Sequence, residues 1–247
     1  MEILGIDIGG SGIKAAIVNI ERGEIISERF RLPTPRPSKP HAVADVVCKM
    51  IEHFNYSGPV GISFPTVVKN GKAIFSSNLH KDWKNINIVE LFKEHCGEDF
   101  YVINDADAAG IAEMVYGSGL GKNGLVITVT VGTGIGSGVF FNGQLLSNFE
   151  LGRLYWKSGK FVERYAADSA RKREDLSYKV WGKRLNKFLK YIEDTLHPDL
   201  FILGGGVSKK LDRFRDEIKI KTPIVPATKL NNAGIIGAAE YVKEQLD

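Results

Sequence analysis

The chain has 247 residues, 43% hydrophobic and 25% charged, with a formal net charge of +4. That composition is ordinary for a soluble globular protein with a full core, in one large or two small domains. The charge suits an anionic substrate but is too small and scattered for nucleic acid, and no run is long enough to span a membrane. The two cysteines, Cys48 and Cys96, lie far apart. They give no disulfide framework and no CxxC metal pair, which fits a reducing cytosol. The N-terminus lacks a signal pattern, so the expected location is the cytoplasm.

Ile3–Ile8 reads as a short buried strand with Asp7 as its only charge. Gly9, Gly10, Ser11 and Gly12 form a tight turn, and alternation resumes at Ile13, Ala15 and Ile17. Glycine has no Cβ, so several N–H groups of such a turn can face one concavity and admit an anion. Taken alone, the stretch is either a plain glycine-rich hairpin or a phosphate site. In the second case Asp7 stands at its mouth, where a divalent cation would screen it from phosphate. This stretch has neither a P-loop signature nor GxGxxG spacing.

Ile25–Arg31 completes three antiparallel strands, and Pro33, Pro35, Pro37 and Pro40 mark an extended loop. His41–Asn55 is an amphipathic helix, Pro59–Phe64 a buried strand, and Asn70-Gly71 the turn of a small hairpin. Asn78 to Asn87 is a polar loop with an exposed-looking Trp83, followed by a helix over Ile88–Cys96. Phe100–Ile103 is a buried strand ending at Asn104-Asp105, before an alanine-rich helix to Tyr116. Leu125–Val131 and Gly138–Phe141 then flank Gly132-Thr133-Gly134-Ile135-Gly136. This second strand–turn–strand unit echoes the first and predicts an internal duplication with a cleft between halves.

Phe161–Arg173 and Ser177–Leu196 read as helices. The second has Ser177 as N-cap and Val180, Trp181, Arg184, Leu185, Phe188 and Leu189 in register. Asp199–Leu203 is a strand running into Gly204-Gly205-Gly206. Lys209–Ile218 is predicted helical, Pro223–Pro226 a short strand and Gly234–Gln245 a closing helix.

Asn104-Asp105 stands at the carboxyl end of a buried strand, where ligands sit in open sheets. A carboxylate there can take a proton from a hydroxyl attacking phosphorus, so Asp105 is the candidate base, with an N-cap role as the alternative. Asp107, in the first helical turn, is read as a helix-dipole partner. Lys122, Arg171, Lys172, Arg173, Lys209 and Lys210 either line a track for a polyanion or make solvated helix faces. Trp83 and Trp156 are candidates to stack on a sugar, and Trp181 belongs to the core.

The ordered set Asp7–Ser11, Asn104–Ala109, Gly132–Gly136 and Gly204–Ser208 resembles the ROK-type sugar kinases of the actin-like ATPase superfamily, closest to their polyphosphate glucokinase branch. Supporting stretches include Glu28–Arg31, Phe64-Pro65, Lys81–Trp83, Glu150–Gly152 and Asn231–Ala239. The resemblance implies two ribonuclease-H-like α/β domains with an interdomain cleft, over residues 1–104 plus 234–247 and 105–233. It implies phosphoryl transfer from polyphosphate, ATP or both to the 6-hydroxyl of glucose, with Asp105 as base. Asp7, Gly9, Gly10, Ser11, Gly12 and Lys14 are then the first phosphate loop. Thr130, Gly132, Thr133, Gly134 and Gly136 are the second, and Gly205 and Gly206 adjoin the donor. Asn78, Asn104, Asp105, Glu150 and Glu163 are the sugar residues, because a carboxylate can accept from two neighbouring hydroxyls. Mg²⁺ is the expected metal, held by Asp7 through water, and a homodimer the expected assembly. The family's cysteine-rich zinc loop is missing, so no structural zinc is expected.

The family pattern Glu-x-Gly-His reads here Glu150-Leu151-Gly152-Arg153. Histidine can accept a hydrogen bond from a sugar hydroxyl, whereas arginine only donates and stays charged. Arg153 has three options: to swing into solvent, to pair with Glu150, or to bind an anionic sugar group. The alternatives to a glucokinase are an ATP-only hexokinase for another hexose and a weakened sugar-binding relative.

Overall fold

A computed structural model describes residues 1–76, 79–156 and 159–246. The chain divides into two compact units, Met1–Ala112 with Asn232–Asp247, and Glu113–Asn231. In the first unit β1 (Glu2–Ile8) pairs antiparallel with β2 (Ile13–Asn19), which pairs with β3 (Glu24–Ile25) and β4 (Phe30–Leu32). The third predicted strand is therefore two short pieces. Between them Ser27 turns its hydroxyl to the Ile17 N–H at 2.9 Å, which interrupts the backbone ladder.

α1 (Pro40–His53) leads to β5 (Val60–Phe64), parallel to β1. The β6 (Val68–Lys69) and β7 (Lys72–Ala73) hairpin, α2 (Ile88–Cys96) and β8 (Phe100–Asn104) follow, and β8 is parallel to β5. The main path of the sheet runs β3-β2-β1-β5-β8. α3 (Asp105–Tyr116) starts directly at the end of β8 and straddles the unit boundary.

The second unit repeats this plan. β9 (Leu125–Val131), β10 (Ile135–Phe141) and β11 (Gln144–Leu146) form an antiparallel run. After α4 (Glu163–Ala166), α5 (Asp168–Arg173) and α6 (Tyr178–Leu196), β12 (Leu200–Gly204) lies parallel to β9 and β13 (Ile224–Pro226) parallel to β12. The order β11-β10-β9-β12-β13 matches the first sheet strand for strand. α7 (Ala233–Leu246) closes the chain within the first unit.

α7 lies on its sheet through glycine. A Cβ on Gly61 of β5 would stand 2.1 Å from the Ala238 carbonyl oxygen, and one on Gly5 of β1 2.2 Å from that of Ile235. No side chain fits at either distance, so helix and sheet touch backbone to backbone. Each unit has its own apolar core. Ile6, Val47, Ile62 and Phe92 are fully buried in the first, and Ile127, Leu185, Phe188 and Phe201 in the second.

Four expectations are corrected. Cys48 on α1 and Cys96 at the end of α2 are joined in a disulfide. Packing of the two helices brings their Cα atoms to 5.2 Å, so sequence distance was no guide. Trp83 is fully buried, with its indole N–H donating to Ser38 O at 2.8 Å and its ring against Phe64, which removes it as a sugar-stacking residue. The helix predicted over Phe161–Arg173 breaks at Ala167, whose backbone is extended. The Ala166 and Ala167 carbonyls instead accept from the Trp181 indole at 2.9 and 3.2 Å. Lys209–Ile218 is not an α-helix but two 3-10 turns, Ser208–Arg213 and Arg215–Glu217, separated by the non-helical Phe214. Ser177 does cap α6, accepting from Val180 N at 3.3 Å, although Val180 itself is 48% exposed at the first turn.

Candidate active site

The first glycine turn is tied to its own unit at several points. Gly9 N donates to Gly12 O at 3.1 Å, Arg31 Nη2 donates to Ser11 O at 3.1 Å, and Thr34 Oγ1 donates to Gly9 O. A Cβ at Gly12 would meet the Arg31 guanidinium at 2.6 Å, so the absence of a side chain lets that arginine lie across the turn. Asp7 points one carboxylate oxygen at Lys14 Nζ and the other at Ser63 Oγ, each 3.1 Å away. Lys14 is its antiparallel partner on β2 and Ser63 its parallel partner on β5, so strand register alone assembles this trio. Arg31 closes the Glu28–Arg31 stretch of the resemblance, whereas Ser63 and Thr34 carry no motif of their own. Only the register opposite Asp7 could have pointed to Ser63.

Mg²⁺ takes one or two carboxylates and completes its shell with phosphates and water. Asp7, with its side chain 19% exposed and already beside a glycine turn, fits the single-carboxylate version. No group of three or more His, Cys, Asp or Glu side chains able to hold a metal occurs among the described residues.

At the carboxyl end of β8, Asn104 is buried and serves as the cap of α3. Its Oδ1 accepts from Ala106 N at 2.8 Å and Asp107 N at 3.2 Å, while Nδ2 donates to Thr66 O at 3.0 Å. Among the described residues Nδ2 makes this one hydrogen bond, which leaves its second hydrogen for a ligand. The cap role weighed for Asp105 thus belongs to its neighbour, and Asp105 begins the helix with an exposed carboxylate. Asp107, two residues further on, is fully buried.

In the second unit the glycine turn between β9 and β10 is closed by Gly132 N donating to Gly134 O at 3.0 Å. α5 is fastened to it: Ser169 N donates to Gly132 O at 3.1 Å and Ser169 Oγ to Thr133 O at 2.6 Å. Glu163, the first residue of α4, reaches the same turn and accepts from Ile135 N at 3.4 Å. Glu150 precedes a short 3-10 turn, Leu151–Arg153, seated on β10. A Cβ on Gly152 would stand 2.0 Å from Ile135 O, and Leu151 N donates to Ser137 Oγ at 3.0 Å.

Burial pushes the Glu150 carboxyl above the usual glutamate range; the Arg153 guanidinium opposes this and the Glu163 carboxylate adds to it. The three charged residues therefore form one electrostatic group. Arg153 lays its guanidinium over the Phe161 ring, 5.0 Å from the centroid. Thr130 lies on β9 beside Gly204, and the third glycine turn follows β12. There Gly205 takes φ +77, and its carbonyl accepts from Ser208 Oγ at 2.9 Å. Asn78 lies outside the described residues.

The ROK family profile matches residues 3–149 of this chain. The chain belongs to the ROK family. Among its ROK relatives is a polyphosphate glucokinase of Mycobacterium tuberculosis, 43% identical over 236 residues, or 95% of this chain and 89% of that one. The polyphosphate glucokinase of Mycobacterium leprae is 42% identical over 95% of this chain and 72% of its own. The crystal structure of an inorganic polyphosphate/ATP-glucomannokinase from Arthrobacter sp. strain KM superposes with a TM-score of 0.94 at 41% identity, covering 99% of each chain. A ROK family glucokinase from Streptomyces griseus, in complex with glucose and AMPPNP, has a TM-score of 0.84 at 22% identity, over 99% of this chain and all of the other. At that identity it speaks for the fold alone. The fold is that of the ROK sugar kinases of the actin-like ATPase superfamily, as the duplicated sheet order suggested. No helix is long and apolar enough to cross a membrane among the described residues.

Proposed function

We propose that this ROK-family chain is a glucokinase that draws its phosphoryl group from inorganic polyphosphate and from ATP, giving glucose 6-phosphate. The observation that carries the reading is near-full-length similarity, 43% over 95% of the chain, to polyphosphate glucokinases. The exposed carboxylate of Asp105 at the carboxyl end of a parallel strand supports it.

In this reading Asp105 takes the proton of the glucose 6-hydroxyl as that oxygen bonds to the terminal phosphorus. The bond from that phosphorus to the bridging oxygen breaks, and the shortened donor leaves. Asn104, Asp105, Glu150 and Glu163 are the proposed sugar ligands, together with Asn78 and Arg153. Asp7, Gly9, Gly10, Ser11, Gly12 and Lys14, with Thr130, Gly132, Thr133, Gly134, Gly136, Gly205 and Gly206, are the donor residues. Backbone N–H groups of glycine turns suit this task, because phosphoryl transfer asks mainly for positioning and charge neutralisation. Mg²⁺ bound with the donor neutralises phosphate charge, and Asp7 is the residue to hold it through water. Lys14, whose Nζ lies 3.1 Å from the Asp7 carboxylate, would with Asp7 hold that cation's phosphate partner at the first glycine turn.

A homodimer in the cytoplasm completes the proposal; the dimer rests on the resemblance and the location on the sequence pattern. The Cys48–Cys96 bond is unusual for a reducing compartment. Arg153 favours a second reading, an ATP-only kinase for another hexose. Initial rates with glucose, mannose, fructose and glucosamine against polyphosphate and ATP separate the two. Glucose 6-phosphate from polyphosphate is the expected product, and absence of any polyphosphate-driven turnover removes the donor assignment.

A further inference from the structure

Three cations of the second unit gather on one aromatic ring. Arg171 stands 4.4 Å from the Tyr178 centroid, Arg213 5.3 Å and Lys210 5.7 Å. The ring is held at the start of α6, stacked on Phe214 and edge-on to Trp181. An aromatic face attracts each cation, but the three repel one another, and they lie closer together than salt screens well. The carboxylate set against them is that of Asp168, which binds Arg171 at 2.6 Å and also Lys172 at 2.9 Å. Arg173 is bound to Glu174. Lys210 and Arg213 have no ion-pair partner among the described residues.

The cluster adjoins two of the glycine turns. Arg171 lies on α5, whose Ser169 is hydrogen-bonded to Gly132 and Thr133. Lys210 and Arg213 belong to the 3-10 turn that begins at Ser208, two residues after Gly206. A polyanion whose end rests on these turns has a ready continuation onto the three charges.

We propose that Arg171, Lys210 and Arg213, gathered by Tyr178, bind the phosphates of a polyphosphate chain remote from the one transferred. The cluster thereby selects long donors over nucleotides. This rests on the polyphosphate reading above and adds the residues that recognise the polymer.

The test is the double variant Lys210→Gln/Arg213→Gln, which leaves the Arg171–Asp168 pair intact. For wild type and variant, KM is measured for long-chain polyphosphate, tripolyphosphate and ATP with saturating glucose. Binding of fluorescein-labelled long-chain polyphosphate is measured separately by polarisation across a salt series, without glucose. The expected result is at least a tenfold rise in the ratio of long-chain polyphosphate KM to ATP KM, with tripolyphosphate following ATP. The salt slope of binding becomes shallower by roughly 1–2 as phosphate contacts are lost. An unchanged KM ratio, or unchanged salt-dependent binding, overturns the proposal. Should wild type use no polyphosphate in turnover, the functional reading fails, while the polarisation assay still decides whether these residues hold the polymer.

Discussion

Glu150 carries its charge against its surroundings: burial lifts its carboxyl, Arg153 pulls it back and Glu163 lifts it again. A sugar hydroxyl donates best to the ionised form. The glucose KM should therefore rise as pH falls through a midpoint above the ordinary glutamate range. Glu150→Gln should lose that limb. Arg153→Ala removes the opposing charge, so the limb should move to higher pH; a shift to lower pH contradicts the electrostatic grouping. Because the folded-state value is raised, the protonated form favours folding. That contribution is full below the ordinary value and disappears as pH rises through the raised one. Glu150→Gln should accordingly melt higher than wild type at neutral pH, by calorimetry.

Glu193 on α6 has the opposite sign. Burial alone would raise it, yet hydrogen bonds from Thr222, Lys190 and Lys221 hold it down to about 2. Its Oε1 accepts from Lys221 N at 2.7 Å and Thr222 N at 2.6 Å, which fastens the approach to β13 onto α6. A lowered carboxyl stabilises above the ordinary glutamate value and loses that effect as pH falls through about 2. Glu193→Gln should cost about 2 kcal/mol at neutral pH, with the deficit shrinking between about pH 4.5 and 2, read by urea melts. The disulfide between α1 and α2 spans 48 residues. Closing such a loop is worth about 4 kcal/mol in the chain-entropy account. Reduced protein, or Cys48→Ser, should unfold at lower denaturant, and an unmoved midpoint would mean the bond contributes nothing. Strands and long helices were legible from period and capping, as Ser177 before α6 illustrates. The breaks were not: Ala167 is extended because of a tryptophan fourteen residues on, and Trp83 is buried because a proline-rich loop offers it the Ser38 carbonyl. Both depend on packing partners that no local pattern carries.

Over the whole molecule, two sheets with the same strand order bear out the duplication read from paired glycine turns. The turns and the Asn104-Asp105 step were legible because each sits at a strand end where the pattern changes abruptly. The supporting contacts were not, since Ser63 meets Asp7 only through sheet register and Arg213 meets Tyr178 only through the fold of the second unit. Asp105 is the residue proposed to deprotonate the acceptor. Asn104 does the capping of α3, and Asp105→Asn keeps the side chain's size at an exposed position, so the variant should still fold, read by its thermal midpoint. The decisive measurement is kcat of that variant with glucose and each donor. A fall of about 10²–10⁴-fold with both polyphosphate and ATP is predicted, and wild-type turnover in the folded variant would contradict the account.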